Sequence, residues 1–178
     1  MNPLDLIRGF PGKPSHPPLT DASIGAYTAG VAMLVLGALG VEEEQMAHGA
    51  LLAISFGLIL AAPTAITGLL DWLRIDGREP ARRLGLFHQI AMVTTTLQFA
   101  ATRIAQLDGN PDDVVKTPAV VLGVASELLL TTGGYMGGAL VFVYGVRVLK
   151  RRETPVADAL IPGRSNEPVI QDEAPVRN

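Results

Sequence analysis

LLAISFGLILAAPTAITGLL, residues 51–70, decides the class of this fold. Twenty residues at a helical rise of 1.5 Å cover about 30 Å, the thickness of a bilayer's hydrocarbon core. A soluble helix of that length would show a polar face recurring every 3.6 residues; here apolar residues come all round and no charge interrupts them. Extending upstream to Ala47 adds a single titratable side chain, His48. Three comparable windows flank it, at 22–41, 84–102 and 117–146. The chain has 14 basic and 17 acidic residues, and all of these charges except Glu127 fall outside the four windows. The 17% charged composition, against about 25% in an average globular chain, is therefore an average over two populations. One soluble helix could be this apolar if buried in a large protein, but four in 178 residues leave too little polar surface to cover them.

The expected fold is all-α, an integral membrane four-helix bundle with helices at about 22–41, 47–70, 84–105 and 118–147. Residues 1–21 form a Pro-rich leading segment without the apolar run of a signal peptide, and residues 150–178 read as a flexible tail. Pro63 is expected to kink the second helix, and Val156–Ile161 is a short stretch that could dock. Orientation follows from the basic residues, which collect on cytoplasmic loops. Arg8 and Lys13 precede the first helix; Arg74, Arg78, Arg82 and Arg83 sit between the second and third; Arg147, Lys150, Arg151, Arg152, Arg164 and Arg177 follow the fourth. The two other connections hold only Lys116, with Arg103 at the outer end of the third helix. Both termini are expected in the cytoplasm.

Composition excludes several functions. With no cysteine there is no disulfide, no thiolate zinc site, no cysteine-ligated iron–sulfur cluster and no cysteine nucleophile. A net charge of -3 without a basic, aromatic-interleaved face argues against nucleic acid. No P-loop, dinucleotide-binding turn, HExxH or Ser–His–Asp pattern is present, so no catalytic residue is assigned and the chain is not expected to be an enzyme on its own.

The remaining candidates are few. In the fourth helix, Gly133 with Gly137 and Gly134 with Gly138 have the four-residue spacing that lets helices approach closely. At 100° per residue Glu127, Thr131, Gly134, Gly138, Val141 and Gly145 share one stripe, so Glu127 is expected to face protein and to pair with Arg103, with a proton path as the alternative. His16 and His88 both belong to the cytoplasmic side, whereas His48 lies about 25 Å away at the outer end. A cluster of His16, Asp21, Asp71 and His88 is conceivable there, with Trp72 as an interfacial anchor. Two imidazoles on separate helices suit a haem b, and two plus a carboxylate suit a divalent metal; hydrogen bonding to backbone is the plainer role for each.

Three segments, FPGKPSHPPLTDASIGAY, AAPTAITGLLDW with His88 beyond it, and GYMGGALVFVYGVRV, resemble a bacterial family of small four-helix membrane proteins known as domain of unknown function 2231. The resemblance covers about residues 10 to 150. It matches His16 and Pro17 to a His-Pro pair before the first helix, Thr67, Gly68 and Asp71 to a T-G-x-x-D turn, and His88 to a histidine opening the third helix. Relatives often carry a Rieske-type iron–sulfur domain or neighbour redox proteins, which implies an electron-transfer association in the inner membrane; with no cysteine here, an iron–sulfur partner would be a separate polypeptide. Where relatives often have a histidine in the Gly-Gly segment, this chain has Ala139, leaving His16 and His88 as the ligand pair. The expected role is a membrane subunit or anchor of a redox assembly with haem b as candidate cofactor. The alternatives are a cofactor-free assembly subunit, which could be a homo-oligomer packed through the glycines, and a small transporter using Glu127.

Overall fold

The computed structural model of the chain describes residues 3–10, 12–108, 113–149 and 156–160. A short helix α1 (Pro3–Arg8) leads into an antiparallel hairpin of β1 (Gly9–Phe10) and β2 (Lys13–Pro14). Four long helices follow, α2 (His16–Ala38), α3 (Glu43–Trp72), α4 (Pro80–Gln106) and α5 (Thr117–Phe142), and then the short α6 (Val156–Leu160). Apart from α6, the expected flexible tail lies outside the described residues, as do Lys150, Arg151, Arg152, Arg164 and Arg177.

Capping chemistry sets the helix ends more than hydropathy does. Prolines occupy the opening turns of α2, α4 and α5, where a missing N–H costs nothing. The first long helix therefore begins at His16 and the third at Pro80, upstream of the expected 22 and 84. Gly40 takes φ 84 just past α2, and the N–H of Val41 closes back on Leu36 O at 3.1 Å, a glycine C-cap. The last long helix stops at Phe142 rather than near 147, because the chain turns out through Gly145 at φ 67. Glu43 and Glu44 in the first turn of α3 complement its dipole, and α3 runs through Pro63 without interruption.

Among the described residues three helices, α2, α3 and α5, are long and apolar enough to cross a membrane. The third expected span departs from this. The window 84–102 is uncharged, but it carries His88, Gln89, Thr94, Thr95, Thr96 and Gln98, and α4 adds Arg82, Arg83 and Arg103 at its ends. Absence of charge is not the same as apolarity, and α4 has the length of a span without the composition.

Each long helix packs on two others: α2 extensively on α3, α4 extensively on α5, and α3 on α4 and α2 on α5 more sparingly. Successive helices alternate in direction. Gly37 near the end of α2 faces Met46 and Val115, whereas His16 at its start faces Gly68 near the end of α3. The acidic end is tied by side chains that bond the 107–116 connection. Glu43 Oε1 accepts the Val115 N–H at 3.1 Å, and the fully buried Gln106 accepts from Lys116 N–H and donates to Val114 O, each at 2.9 Å. The core between comprises Tyr27, Val31, Leu34, Ala47, Ala50, Ile54, Phe99, Val115, Ala119 and Leu130, with Tyr27 and Phe99 stacked in parallel at 4.0 Å.

Candidate functional site

The opposite, basic end gathers the chain's chemistry around one cavity of about 830 Å³, within the usual range for small-molecule sites. His16 and His88 both line it. His16, the first residue of α2, reaches across to α3, where its Nδ1 lies 3.0 Å from Thr64 O and 3.3 Å from Thr67 Oγ1. A carbonyl oxygen only accepts, so Nδ1 carries the proton and Nε2 keeps its lone pair. Thr67 spends its own hydroxyl proton on α3 carbonyls, to Pro63 O at 2.9 Å or Thr64 O at 3.0 Å. Thr20 Oγ1 stands 3.4 Å from His16 Nε2 while bonding His16 O at 2.9 Å. His88 is held in the same way from the other side, its Nδ1–H donating to Gly133 O of α5 at 2.8 Å.

Glycines make room for both imidazoles. A Cβ on Gly68 would stand 2.8 Å from His16 Cε1, and one on Gly137 would stand 3.0 Å from His88 Cε1. This gives T-G-x-x-D a physical content. Thr67 sits beside the imidazole, Gly68 leaves space for it, and Asp71, one turn on, takes the charges of Arg8 and Arg147. Arg8 donates through Nε and Nη2 to Asp71 Oδ1 at 3.0 and 2.7 Å, with both side chains buried. Arg147 Nε stands 3.4 Å from the same oxygen, and its Nη2 donates to Arg8 O and Gly9 O at 2.9 and 2.8 Å. Arg147 itself has φ 63, a conformation rare for a side-chain-bearing residue, stabilised by those three contacts. The segments on either side of the four long helices are thus strapped together over one end of the cavity, where Gly12, Lys13, Pro14, Val146, Arg147, Val148, Leu149 and Ala159 contribute to its wall.

Several sequence expectations land elsewhere. Arg103 and Glu127 do not pair. Arg103 Nε donates to Ser55 Oγ of α3 at 2.7 Å, while Glu127 Oε1 accepts from Thr28 of α2 at 2.9 Å and its Oε2 is buried without a partner. The two side chains leave α4 and α5 toward different neighbours. The glycine pair that packs is Gly133 with Gly137, against Met92 and His88; Gly134 has no atom within 4 Å of a built Cβ, and Gly138 meets only Phe142 of its own helix. Asp21 is exposed, Asp71 belongs to the arginines, and no group of three His, Asp or Glu side chains that could hold a metal ion occurs among the described residues. His48 lies in the first turns of α3, at the acidic end. Trp72 closes the α3–α4 connection: its Nε1–H donates to Arg82 O at 2.9 Å, Arg82 Nη1 returns a bond to Trp72 O at 2.6 Å, and the guanidinium sits 3.6 Å over the ring.

Arg8, Arg147, Thr20 and Thr64 escaped the sequence reading. The arginines were visible only as orientation charges, and nothing local marks a basic residue as the partner of an aspartate 63 positions away. No curated protein and no solved structure matches the chain. The model of a family described as a predicted membrane protein, DUF2231, matches residues 12–150, from the strap through all four long helices, and the chain belongs to that family.

Proposed function

We propose that the chain is a multi-pass bacterial inner-membrane protein whose four long helices form a bundle with both termini cytoplasmic, and that it serves as a membrane subunit or anchor of an electron-transfer assembly, holding haem b between His16 and His88. The observation that carries this reading is the pair of imidazoles fixed on one cavity, each with Nδ1–H donated to a backbone carbonyl and Nε2 left as the ligating atom. Two protein ligands suffice only for a group that brings its other donors, as a porphyrin does. Bound haem would supply one-electron oxidation and reduction. Gly68 and Gly137 give the imidazoles clearance, and Lys13 and Arg147 in the cavity wall supply positive charge for acidic substituents. An iron–sulfur partner would be a separate polypeptide.

Protein purified in mild detergent from haem-replete cells is expected to show a Soret band and a reduced-minus-oxidised b-type difference spectrum, both lost in His16→Ala and His88→Ala. A folded preparation without the band would remove the haem assignment and leave a cofactor-free assembly subunit. Orientation is supported by the basic end, with Arg8, Lys13, Arg74, Arg78, Arg82, Arg83 and Arg147, facing an acidic end with Glu42, Glu43, Glu44, Asp108 and Asp113. A cysteine introduced at Glu44 should react with an impermeant maleimide only from outside the cell, and one at Arg78 only after permeabilisation. The reverse pattern would invert the topology, and labelling of both sites from one side would break the four-span bundle.

A further inference from the structure

At the basic end the cavity wall is built differently from the rest. Elsewhere the four long helices line it; here two short stretches contribute, 12–14 ahead of α2 and 146–149 beyond α5. Both lie outside the helices long and apolar enough to cross a membrane. Neither belongs to the apolar core: Val148 and Leu149 are 44% and 37% exposed, and Gly12 is exposed against the Leu149 side chain. His16 opens α2 directly behind the first stretch, so its imidazole stands just inside this wall.

A single carboxylate holds the two halves of this strap together. Asp71 Oδ1 takes Arg8 from the leading half and Arg147 from the trailing one, and Arg147 Nη2 reaches across to Arg8 O and Gly9 O. Each half contains glycines at positive φ, Gly9 and Gly12 at 72 and 73 in the first and Gly145 at 67 in the second. Glycine passes through such conformations without steric cost, so either half can turn there while the helices stay packed. Parting the halves gives up polar bonds that water at this end replaces. Parting two membrane helices gives up close packing instead, which is a main source of their association.

We propose that this strap is the entrance to the cavity and Asp71 its latch. A ligand reaches His16 and His88 from the basic end when 12–14 and 146–149 separate, and the arginines return to Asp71 behind it. One anion between two cations suits a latch. While it is in place both guanidiniums are paired with it, and once it is released they repel each other across the gap. Lys13 belongs to the leading half and to the cavity wall, so positive charge closes over the ligand with the strap. The proposal concerns the route to the histidines and holds for any ligand of the cavity, haem included.

The chain has no cysteine, so one introduced pair can lock the strap. A Cβ at Gly12 would stand 3.6 Å from Leu149 Cβ, inside the range of about 3.5–4.5 Å that a disulfide needs, and Leu149→Cys removes the Cδ1 it would otherwise meet at 2.7 Å. Gly12→Cys/Leu149→Cys protein from haem-deficient cells, in mild detergent, is treated with diethyl pyrocarbonate, which acylates an unprotonated imidazole nitrogen. Each histidine is scored by peptide mass spectrometry, with His48, exposed at the acidic end, as the reference within the molecule. Labelling of His16 and His88 relative to His48 is expected to fall about tenfold on oxidation and to recover with dithiothreitol. The reduced form carries the same substitutions, so the difference reads the cross-link alone. Asp71→Asn in the cysteine-free chain should raise the ratio about tenfold, whereas Gly30→Leu, which crowds α2 against α3 in the core, should leave it unchanged. A ratio indifferent to oxidation would mean that the cavity is entered elsewhere and overturn the entrance. A ratio unmoved by Asp71→Asn, or raised equally by Gly30→Leu, would overturn the latch. Haem binding is scored separately, by the spectrum of protein from haem-replete cells.

Discussion

Asp71→Asn is expected to destabilise the protein by about 3–5 kcal/mol, the usual cost of removing one partner from a buried ion cluster. Arg8 and Arg147 both approach Asp71 Oδ1, and Arg8 is 6% exposed, so the neutral amide leaves two guanidiniums side by side with no anion between them. The strap should loosen together with the fold. Arg147 holds Arg8 and Gly9 through their carbonyls, and its unusual backbone conformation persists only while those contacts hold. Thermal unfolding in detergent should show a lowered midpoint, and limited proteolysis should cut near Gly9–Gly12 in the variant before the wild type. Asp76→Asn is the comparison: Asp76 is exposed and bonds only the N–H of Arg78, so its loss should cost under about 0.5 kcal/mol. Equal effects at the two positions would mean that the arginine cluster contributes nothing to the fold.

Gly30→Leu should cost about 2–3 kcal/mol through overpacking between α2 and α3. A Cβ at Gly30 would already stand 2.6 Å from Ile54 Cγ1 and 3.4 Å from Ala50 O, and Ile54 is fully buried in the core with no open space to move into. In a membrane, where lipid is as apolar as leucine, close contact is a main source of helix association, so separating this pair removes much of what holds α2 on α3. Gly134→Leu should leave stability within about 0.5 kcal/mol, since nothing lies within 4 Å of its Cβ position. Resistance to unfolding by SDS in mixed micelles compares the two. Sensitivity at Gly134 instead of Gly30 would transfer the packing role to the stripe shared with Glu127.

That contrast shows where sequence reading stops. Gly133/Gly137 and Gly134/Gly138 have the same spacing and are indistinguishable in the chain; which pair meets α4 depends on the rotation of α5 about its axis. Arg103 and Glu127 were matched because they are the charges nearest the spans around one connection, but their side chains leave α4 and α5 on different sides. His16 and His88 could be assigned to one end by counting helical rise, since depth along a helix is linear in residue number. What they bond could not, because Thr64 O and Gly133 O are backbone atoms on other helices and leave no mark of residue type.

The sequence by itself determined that this is an apolar helical protein of a membrane family, roughly where its long helices run, with ends displaced by up to about six residues, and that its basic residues collect at one end. These are properties of composition and of order along the chain. Only the tertiary structure decided that the two histidines share a cavity and that Asp71 pairs with arginines outside the long helices. Those facts depend on the azimuth of each helix and on contacts across 45 to 139 residues, as from His88 to Gly133 and from Arg147 to Arg8. Lipid does little to constrain the azimuth of α2, α3 and α5, because apolar residues lie all round them; packing of small residues and buried polar bonds does.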